Sequence, residues 1–406
     1  MPAGRRVHVV GAGPVGLLLT ALLQPLDGVS VHLYEKRHEY TRSRMVQLAP
    51  RIAADTVARY REVAIDDVDY EAVFEVAELE AALAFRREIP SDLAGLIADW
   101  VVGFCPLNTI ERALSDLIDE RASGRASGNV ERTLTALDAD AALALLEPGD
   151  VMIDCTGTKS LLRDRLLPTD EQVDGLTNTH TMLFEHALVV TFLYGQTYDC
   201  NEYCKYYKNV GTEQYKFIPA VHRTFNDGAV THVTGLIKIS PEDYTAMPAQ
   251  FDGQWLREHF PGVADSVEHF VEQIKEESHG EIVGDLHIIR IPLNLYRARH
   301  ATSRRLCASG PSGHPLAATP VILAGDSAIG SPYFQSISLG FECAMYLAGL
   351  IADPALDPDE MLDRYETYCF KQWMRVYMRS KMIKHNKDLF ESVDDTWTLL
   401  EQLPLY

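Results

Sequence analysis

Three glycines near the N-terminus, Gly11, Gly13 and Gly16, stand in the spacing G-x-G-x-x-G within "RRVHVVGAGPVGLLLTALLQ". A β-branched run, Val7 to Val10, leads into them, and an apolar helical stretch, Leu17 to Leu23, comes after. This pattern suits phosphate binding. Gly11 allows a tight turn, Gly13 lets backbone approach a pyrophosphate, and Gly16 lets the helix pack closely on the strand. Pro14 and Val15 lie inside the same turn, at a helix N-terminus whose unpaired N–H groups and partial positive charge favour an anion. The next apolar run, "VSVHLYE", ends in Glu35, 19 residues after Gly16. A carboxylate there can accept hydrogen bonds from an adenosine ribose. A glycine-rich turn of some other kind would leave Glu35 without a purpose, so the set reads as a dinucleotide site. By itself it does not separate NAD from FAD.

Directly beyond the acid, "YEKRHEYTRSRMVQL" carries Lys36, Arg37, Arg42 and Arg44. Three guanidiniums in eight residues could form a solvated face. Their place beside the turn favours a reach back to the adenosine and pyrophosphate of a large cofactor. A second carboxylate stands far along the chain in "VILAGDSAIGSPYFQSISLG", where an apolar strand runs into Gly325-Asp326 and then into a loop of small residues. Gly-Asp alone commonly marks a turn.

The two ends together resemble the FAD-dependent monooxygenases related to para-hydroxybenzoate hydroxylase. Within that class "YEKRHEYTR" is most similar to the kynurenine-monooxygenase and MICAL-type branch. The resemblance is carried by residues 6–48, 150–165 and 319–350. It implies that Asp326 binds the ribityl chain of FAD, that Pro332 is the loop proline, and that a helix starting near Ser338, Leu339 and Gly340 lies beside the flavin. Such a helix directs its positive end at the ring region where a reduced flavin carries negative charge. The segment "GDVMIDCTGTKSLLRD" resembles the family's D-G-x-x-S-x-x-R element through Gly157, Ser160 and Arg163. Three departures stand out: Thr156 where the family has Asp, Ile329 where it has His, and Gln335-Ser336-Ile337 where it has Gly-Gln-Gly. The Asp position serves FAD and nicotinamide binding in the family, so its change bears on how a flavin would be reduced. Arg112, in the amphipathic stretch "LNTIERALSDLIDERA", is the counterpart of a flavin-contacting arginine; a solvated helix arginine is the competing reading.

An α/β fold is therefore expected: a Rossmann-like FAD-binding domain, discontinuous over residues 1–165 and 300–352, with a C-terminal helical segment at 353–406. Between them, residues 166–299 are rich in aromatic and β-branched alternation ("HALVVTFLYG", "QYKFIPAVHRTF", "AVTHVTGLIKIS") and read as an inserted antiparallel sheet. "FNDG" reads as its hairpin turn. The family uses such a sheet to cover the flavin and shape the substrate cavity. Tyr215, His222, Arg223 and Arg297 are the candidate substrate-side groups. Tyr194, Tyr198, Tyr203, Tyr206 and Tyr207 add aromatic density that serves either core or cavity.

The implied activity is insertion of one atom of O2 into a hydrophobic small molecule through C4a-peroxyflavin chemistry, in natural-product metabolism. Electrons would come from NADH, NADPH or a separate flavin reductase. A cyclase or isomerase with a structural FAD is the alternative, and a halogenase is disfavoured because its G-W-x-W-x-I-P loop is absent. The bulk properties agree. At 406 residues, 47% hydrophobic and 23% charged, the chain has ordinary globular composition. A net charge of −21 argues against a nucleic-acid partner. Apolar runs stay below the roughly 20 residues of a membrane helix. "MPAGRRVHVVGAG" shows no signal-peptide apolar region, so a cytoplasmic location is expected. Seven irregularly spaced cysteines read as reduced thiols; Cys200 and Cys204 form C-x3-C without a second metal-type pair, and no metal is expected.

Overall fold

Strand β1 (Arg5–Val10) is the centre of a five-stranded parallel sheet. Its companions are β2 (Val29–Glu35), β5 (Val130–Leu134), β6 (Val151–Asp154) and β12 (Val321–Leu323), in the order β12-β6-β1-β2-β5. A short antiparallel pair, β3 (Met45–Val46) with β4 (Cys105–Pro106), lies apart from it. The computed structural model describes residues 5–63, 73–123, 129–168, 171, 176–197, 215, 217–225, 229–304, 319–332 and 336–402. Tyr198, Cys200, Tyr203, Cys204, Tyr206, Tyr207 and Gln335, and most of "FNDG", lie outside them.

The chain divides into two units, Met1–Met182 with Leu295–Ser380, and Leu183–Asn294 with Lys381–Tyr406. In the first, the core strands are Val- and Ile-rich runs buried on both faces, as a parallel sheet covered by helices requires. Helix α1 (Pro14–Leu23) is buried from Gly16 to Leu23, and α2 (Leu107–Ser123) packs against it through a stripe including Ile110, Leu114, Leu117 and Ile118. Helix α4 (Ser336–Ala352) also lies on α1 and is buried over most of its length. Burying a side chain such as Phe341, wholly inaccessible, contributes about 2 kcal/mol.

Helix α5 (Pro358–Gln402) begins in this unit. Tyr365, Tyr368 and Trp373 bury its aromatic side, and Tyr365 donates to the Leu323 carbonyl at 3.0 Å. A buried charge cluster fixes its register. Glu342 of α4 is 1% exposed and takes hydrogen bonds from Arg51 (2.8 Å) and from Arg375 of α5. Arg375 also reaches Gln372 and the Tyr60 hydroxyl.

The second unit carries the antiparallel sheet, in the order β10-β11-β7-β9-β8, whose strands are β7 (Thr179–Tyr194), β8 (Phe217–Phe225), β9 (Val230–Ile239), β10 (Gln250–Phe251) and β11 (Ile282–Ala298). β13 (Ile329–Gly330) joins the first-unit end of β11, opposite Tyr296 and Arg297. The boundaries between the units fall within β7, β11 and α5. Helix α3 (Pro261–Ser278) covers the second unit's core, where Phe192, Phe217 and Phe270 meet at ring distances of 4.4 to 6.4 Å. A register irregularity between Pro219 and Val221 absorbs the proline, which has no N–H to give the ladder. Among the described residues, no helix is long and apolar enough to cross a membrane.

Removing the charge of Glu342 would strand two buried guanidiniums. Glu342→Gln is expected to cost about 3 kcal/mol, read as a lowered urea midpoint. A loss under about 0.5 kcal/mol would mean that the cluster is not a fastening of α4 to α5.

Candidate functional site

Parallel pairing places the ends of four strands in one row. Val10 is level with Tyr34 on one side and with Asp154 on the other, and Asp154 is level with Leu323. One step further along each strand stand Gly11, Glu35, Cys155 and the Ala324-Gly325-Asp326 turn. Residues that lie hundreds of positions apart thus share the carboxyl edge of one sheet, where open α/β sheets bind ligands.

At the first turn Gly11 has φ +100°, and a Cβ on it would lie 2.7 Å from the Cys155 carbonyl oxygen. A Cβ on Gly16 would fall 2.0 Å from the Gly11 carbonyl, so α1 meets the strand as closely as backbone allows. Helix α1 starts at Pro14 with no side-chain cap and no acid in its first turn, which leaves its N-terminal N–H groups for an anion. Glu35 is held by this same turn. Its Oε2 accepts the Ala12 N–H at 2.8 Å, and its Oε1 accepts the Lys36 and Arg37 N–H groups, each at 2.9 Å. Burial pushes the Glu35 carboxyl up, but the Arg37 hydrogen bonds and charge and the Ala12 N–H together hold it below the usual range. Oε2 also takes a long contact from Arg37 Nη at 3.5 Å, the weakest of the five donations and the one a ligand hydroxyl could replace.

Two arginines frame the turn. Arg42 lies 3.4 Å from where a Cβ on Gly13 would sit, and it pairs with Glu111, a fully buried residue of α2. Arg42 Nε and Glu111 Oε2 are buried with no hydrogen-bond partner among the described residues. The segment is anchored by its backbone, since Leu107 N–H donates to the Arg44 carbonyl and Asn108 N–H to the Arg42 carbonyl, both at 2.9 Å. Lys36 and Arg44 are exposed. Arg112 is exposed too and donates to the Tyr40 carbonyl at 3.2 Å, whereas the α2 side chain that pairs with an arginine of this segment is Glu111. Sequence reasoning passed over Glu111; an acid on the apolar stripe beside Ile110 and Leu114 was its signal.

The distant turn closes on the first one. Val15 Cγ2 lies 3.0 Å from the Cβ position of Gly325, whose φ is +62°, and 2.6 Å from that of Gly340 in α4. Only residues without side chains let the three segments meet there. The turn's backbone is held from one side: Arg163 donates to the carbonyls of Asp326 (3.1 Å), Ser327 (2.9 Å) and Thr158 (3.1 Å), and Tyr296 donates to the Asp326 carbonyl at 2.7 Å. Burial pushes the Asp326 carboxyl up, and Arg44, Arg42, Ser336 and Arg163 offset this only in part. Ser336 also bridges the Ser331 N–H and carbonyl, both at 3.1 Å, which closes the loop that contains buried Pro332. Ser338 and Leu339 are buried in the first turn of α4, and Ser338 Oγ accepts the Ala49 N–H at 2.9 Å.

Asp154 was not singled out from sequence. Wholly buried at the end of β6, it accepts five hydrogen bonds at 2.6 to 3.1 Å: Thr156 N–H and hydroxyl, Ser160 hydroxyl, Leu162 N–H and Ser327 hydroxyl. Gly157, at φ +90°, donates its N–H to Ser327 Oγ at 3.0 Å. An acid closing an apolar strand just before Thr-Gly was the visible signal.

The substrate-side candidates fall in different places. Tyr215 is 8% exposed in the second unit's core, and its hydroxyl donates to Asp243 at 3.0 Å; burial, then this bond, push it up to about 12. Arg223 lies over the Phe225 ring, and the His222 side chain lies outside the described part of β8. Arg297 stands in the first unit beside Phe370 and Trp373.

No protein-family model matches the sequence, and no curated protein does. Solved structures similar to the chain include HpxO of Klebsiella pneumoniae complexed with FAD and uric acid, at 17% identity and TM-score 0.48 over 98% of this chain and 93% of that one. CabE, an aromatic hydroxylase from angucycline biosynthesis, shares 16% identity at TM-score 0.45 over 96% and 73%. The Diels-Alderase PyrE3 from pyrroindomycin biosynthesis shares 15% at 0.47 over 96% and 77%.

Because the Asp326 carboxyl is raised, the folded chain takes up its proton at higher pH than the unfolded chain does. The residue therefore costs stability above its folded value, and the cost fades as pH falls through that value towards the ordinary Asp range. Asp326→Asn is expected to raise the urea midpoint of the ligand-free protein at neutral pH and to flatten this part of its pH dependence. An unchanged midpoint would count against the burial account.

Proposed function

We propose that the first unit binds FAD, and that the chain is a flavin-dependent monooxygenase inserting one atom of O2 into a hydrophobic small molecule of natural-product metabolism. The observation that carries this is the contact of Val15, inside the glycine turn, with both Gly325 and Gly340. It puts the carboxylate of the distant turn within one cofactor's length of the phosphate-binding turn, and the sequence resemblance supplies the cofactor's identity.

The residues present fit that cofactor. The uncapped start of α1 and the Arg42 and Arg44 side chains would take the diphosphate, Arg42 having an Nη beside Gly13. Glu35 would accept the adenosine ribose hydroxyls. Asp326, a desolvated carboxylate flanked by cations, would accept ribityl hydroxyls. The first turn of α4, with Ser338 and Leu339, would favour negative charge at the ring's edge. When bound, the flavin supplies electron transfer to O2 and the oxygen-transfer chemistry; the protein orients it and keeps water out.

Electrons would arrive from NADH, NADPH or a separate flavin reductase. Thr156, in the place of the family's Asp, donates its hydroxyl to Asp154 at 2.6 Å and accepts the Leu161 N–H at 3.0 Å. Its side chain serves the loop. This favours a partner reductase over direct reduction, and it is the one observation that speaks for the second reading, a cyclase or isomerase whose FAD does not cycle.

Purified protein, supplemented with FAD, is expected to hold a stoichiometric yellow flavin, and Asp326→Ala to weaken that binding by about tenfold or more. A protein that stays colourless, or an Asp326→Ala variant that binds as well as the wild type, sinks the proposal. Anaerobic mixing with NADH, NADPH or a flavin reductase then separates the two readings: loss of the yellow band supports oxygen chemistry, and a flavin that never bleaches supports the second.

A further inference from the structure

A cavity of about 250 Å³ opens within the first unit, between the end of β11, the strand β13 and helix α5. Arg297, Arg299, Ala328, Ile329, Glu366 and Phe370 are among its lining residues. It is smaller than the roughly 300 Å³ at which drug-sized pockets begin. Apart from its two arginines and Glu366, the lining just named is apolar.

Arg297 is the unusual member. Its guanidinium carbon lies 5.2 Å from the ring centroids of both Phe370 and Trp373, which fixes its plane by cation–π contact. One Nη donates to the Ala298 carbonyl at 3.2 Å. Among the described residues, the buried Nε has no hydrogen-bond partner and no ion pair neutralises the group. An unpaired buried donor of a charged group is costly, and a native site is expected to supply its acceptor. Desolvation lowers the Arg297 pKa, and the nearby Glu366 offsets it only in part.

Glu366 does not fill that role. Its carboxylate is occupied by the Ala301 N–H (3.0 and 3.1 Å) and by the Thr302 hydroxyl (2.8 Å). Arg299 spends its Nε on the Thr177 carbonyl at 3.1 Å. Two arginines against one glutamate leave the cavity with one net positive charge. The second Nη of Arg297 stays accessible and unbonded among the described residues, and a guanidinium N–H is a strong donor to a carboxylate.

We propose that this cavity binds a small monocarboxylate, with the carboxylate on the second Nη of Arg297, which is neither buried nor hydrogen-bonded among the described residues, and an apolar body about one ring in size against Ile329, Ala328 and Phe370. The assignment stands apart from the flavin reading, because it uses none of the residues given to that cofactor.

The test is titration calorimetry on the full chain with benzoate and with its neutral isostere benzamide. Trp373 fluorescence provides a second readout through the ring beside Arg297. Benzoate is expected to bind saturably and benzamide about tenfold more weakly or less. Arg297→Gln is expected to weaken benzoate by about tenfold, and Glu366→Gln, which leaves two positive charges, to tighten it. Should Arg297→Gln fail to fold, the wild-type contrast between acid and amide decides. Equal affinity for both, or no saturable benzoate binding up to millimolar concentration, overturns the proposal.

Discussion

Parallel strands that share a register must end together, and the candidate site is built on that constraint. Pairing of Val10 with Tyr34 and with Asp154, and of Asp154 with Leu323, levels the carboxyl ends of β2, β1, β6 and β12. Each strand then releases its chain at the same height, into a tight turn or an acid: the glycine turn, Glu35, Asp154 and the Gly325-Asp326 pair. Close packing above this edge depends on missing side chains, since Gly11, Gly16, Gly325 and Gly340 all stand where a Cβ would press on backbone or on Val15.

Two buried groups keep the edge in shape. Asp154 gathers five donors from the loop 156–162 and from Ser327, so the ends of β6 and β12 move as one piece. Arg163 works from the other direction, donating to carbonyls on both loops. Their effect is to spend the backbone polar groups of the turn internally, while the Asp326 carboxylate is left to solvent-side cations. A carboxylate raised by burial yet flanked by Arg42 and Arg44 is a poor stabiliser of the empty fold and a good acceptor for a polyol. Stability given up at such a site is what a binding function predicts.

The C-terminal helix adds a different kind of constraint. Glu342, Arg51 and Arg375 form a buried cluster whose charges balance only when α4 and α5 lie in one register. The same helix brings Phe370 and Trp373 to Arg297 and closes the small cavity beside β13.

Local signals in the chain determined a good deal. Glycine spacing, the apolar runs on either side and the acid ending β2 gave the first turn, because turn geometry and helix packing are short-range properties of consecutive residues. The parallel and antiparallel sheets were legible for the same reason, through continuous apolar runs in one part of the chain and alternation in another. Residue roles that depend on long-range pairing were not legible. Asp154 looked like an ordinary strand-end acid until Ser327, 173 positions away, donated to it. Arg112 and Glu111 differ by one step on a helix, about 100° of rotation, and only the docking of α2 on the arginine segment decided that Glu111 meets Arg42. Tyr215 and Arg297 carried the same weight as isolated polar residues. Tertiary packing gave the tyrosine a core partner in Asp243 and left the guanidinium with an unpaired edge, since burial and partner supply are set by segments that sequence alone does not bring together.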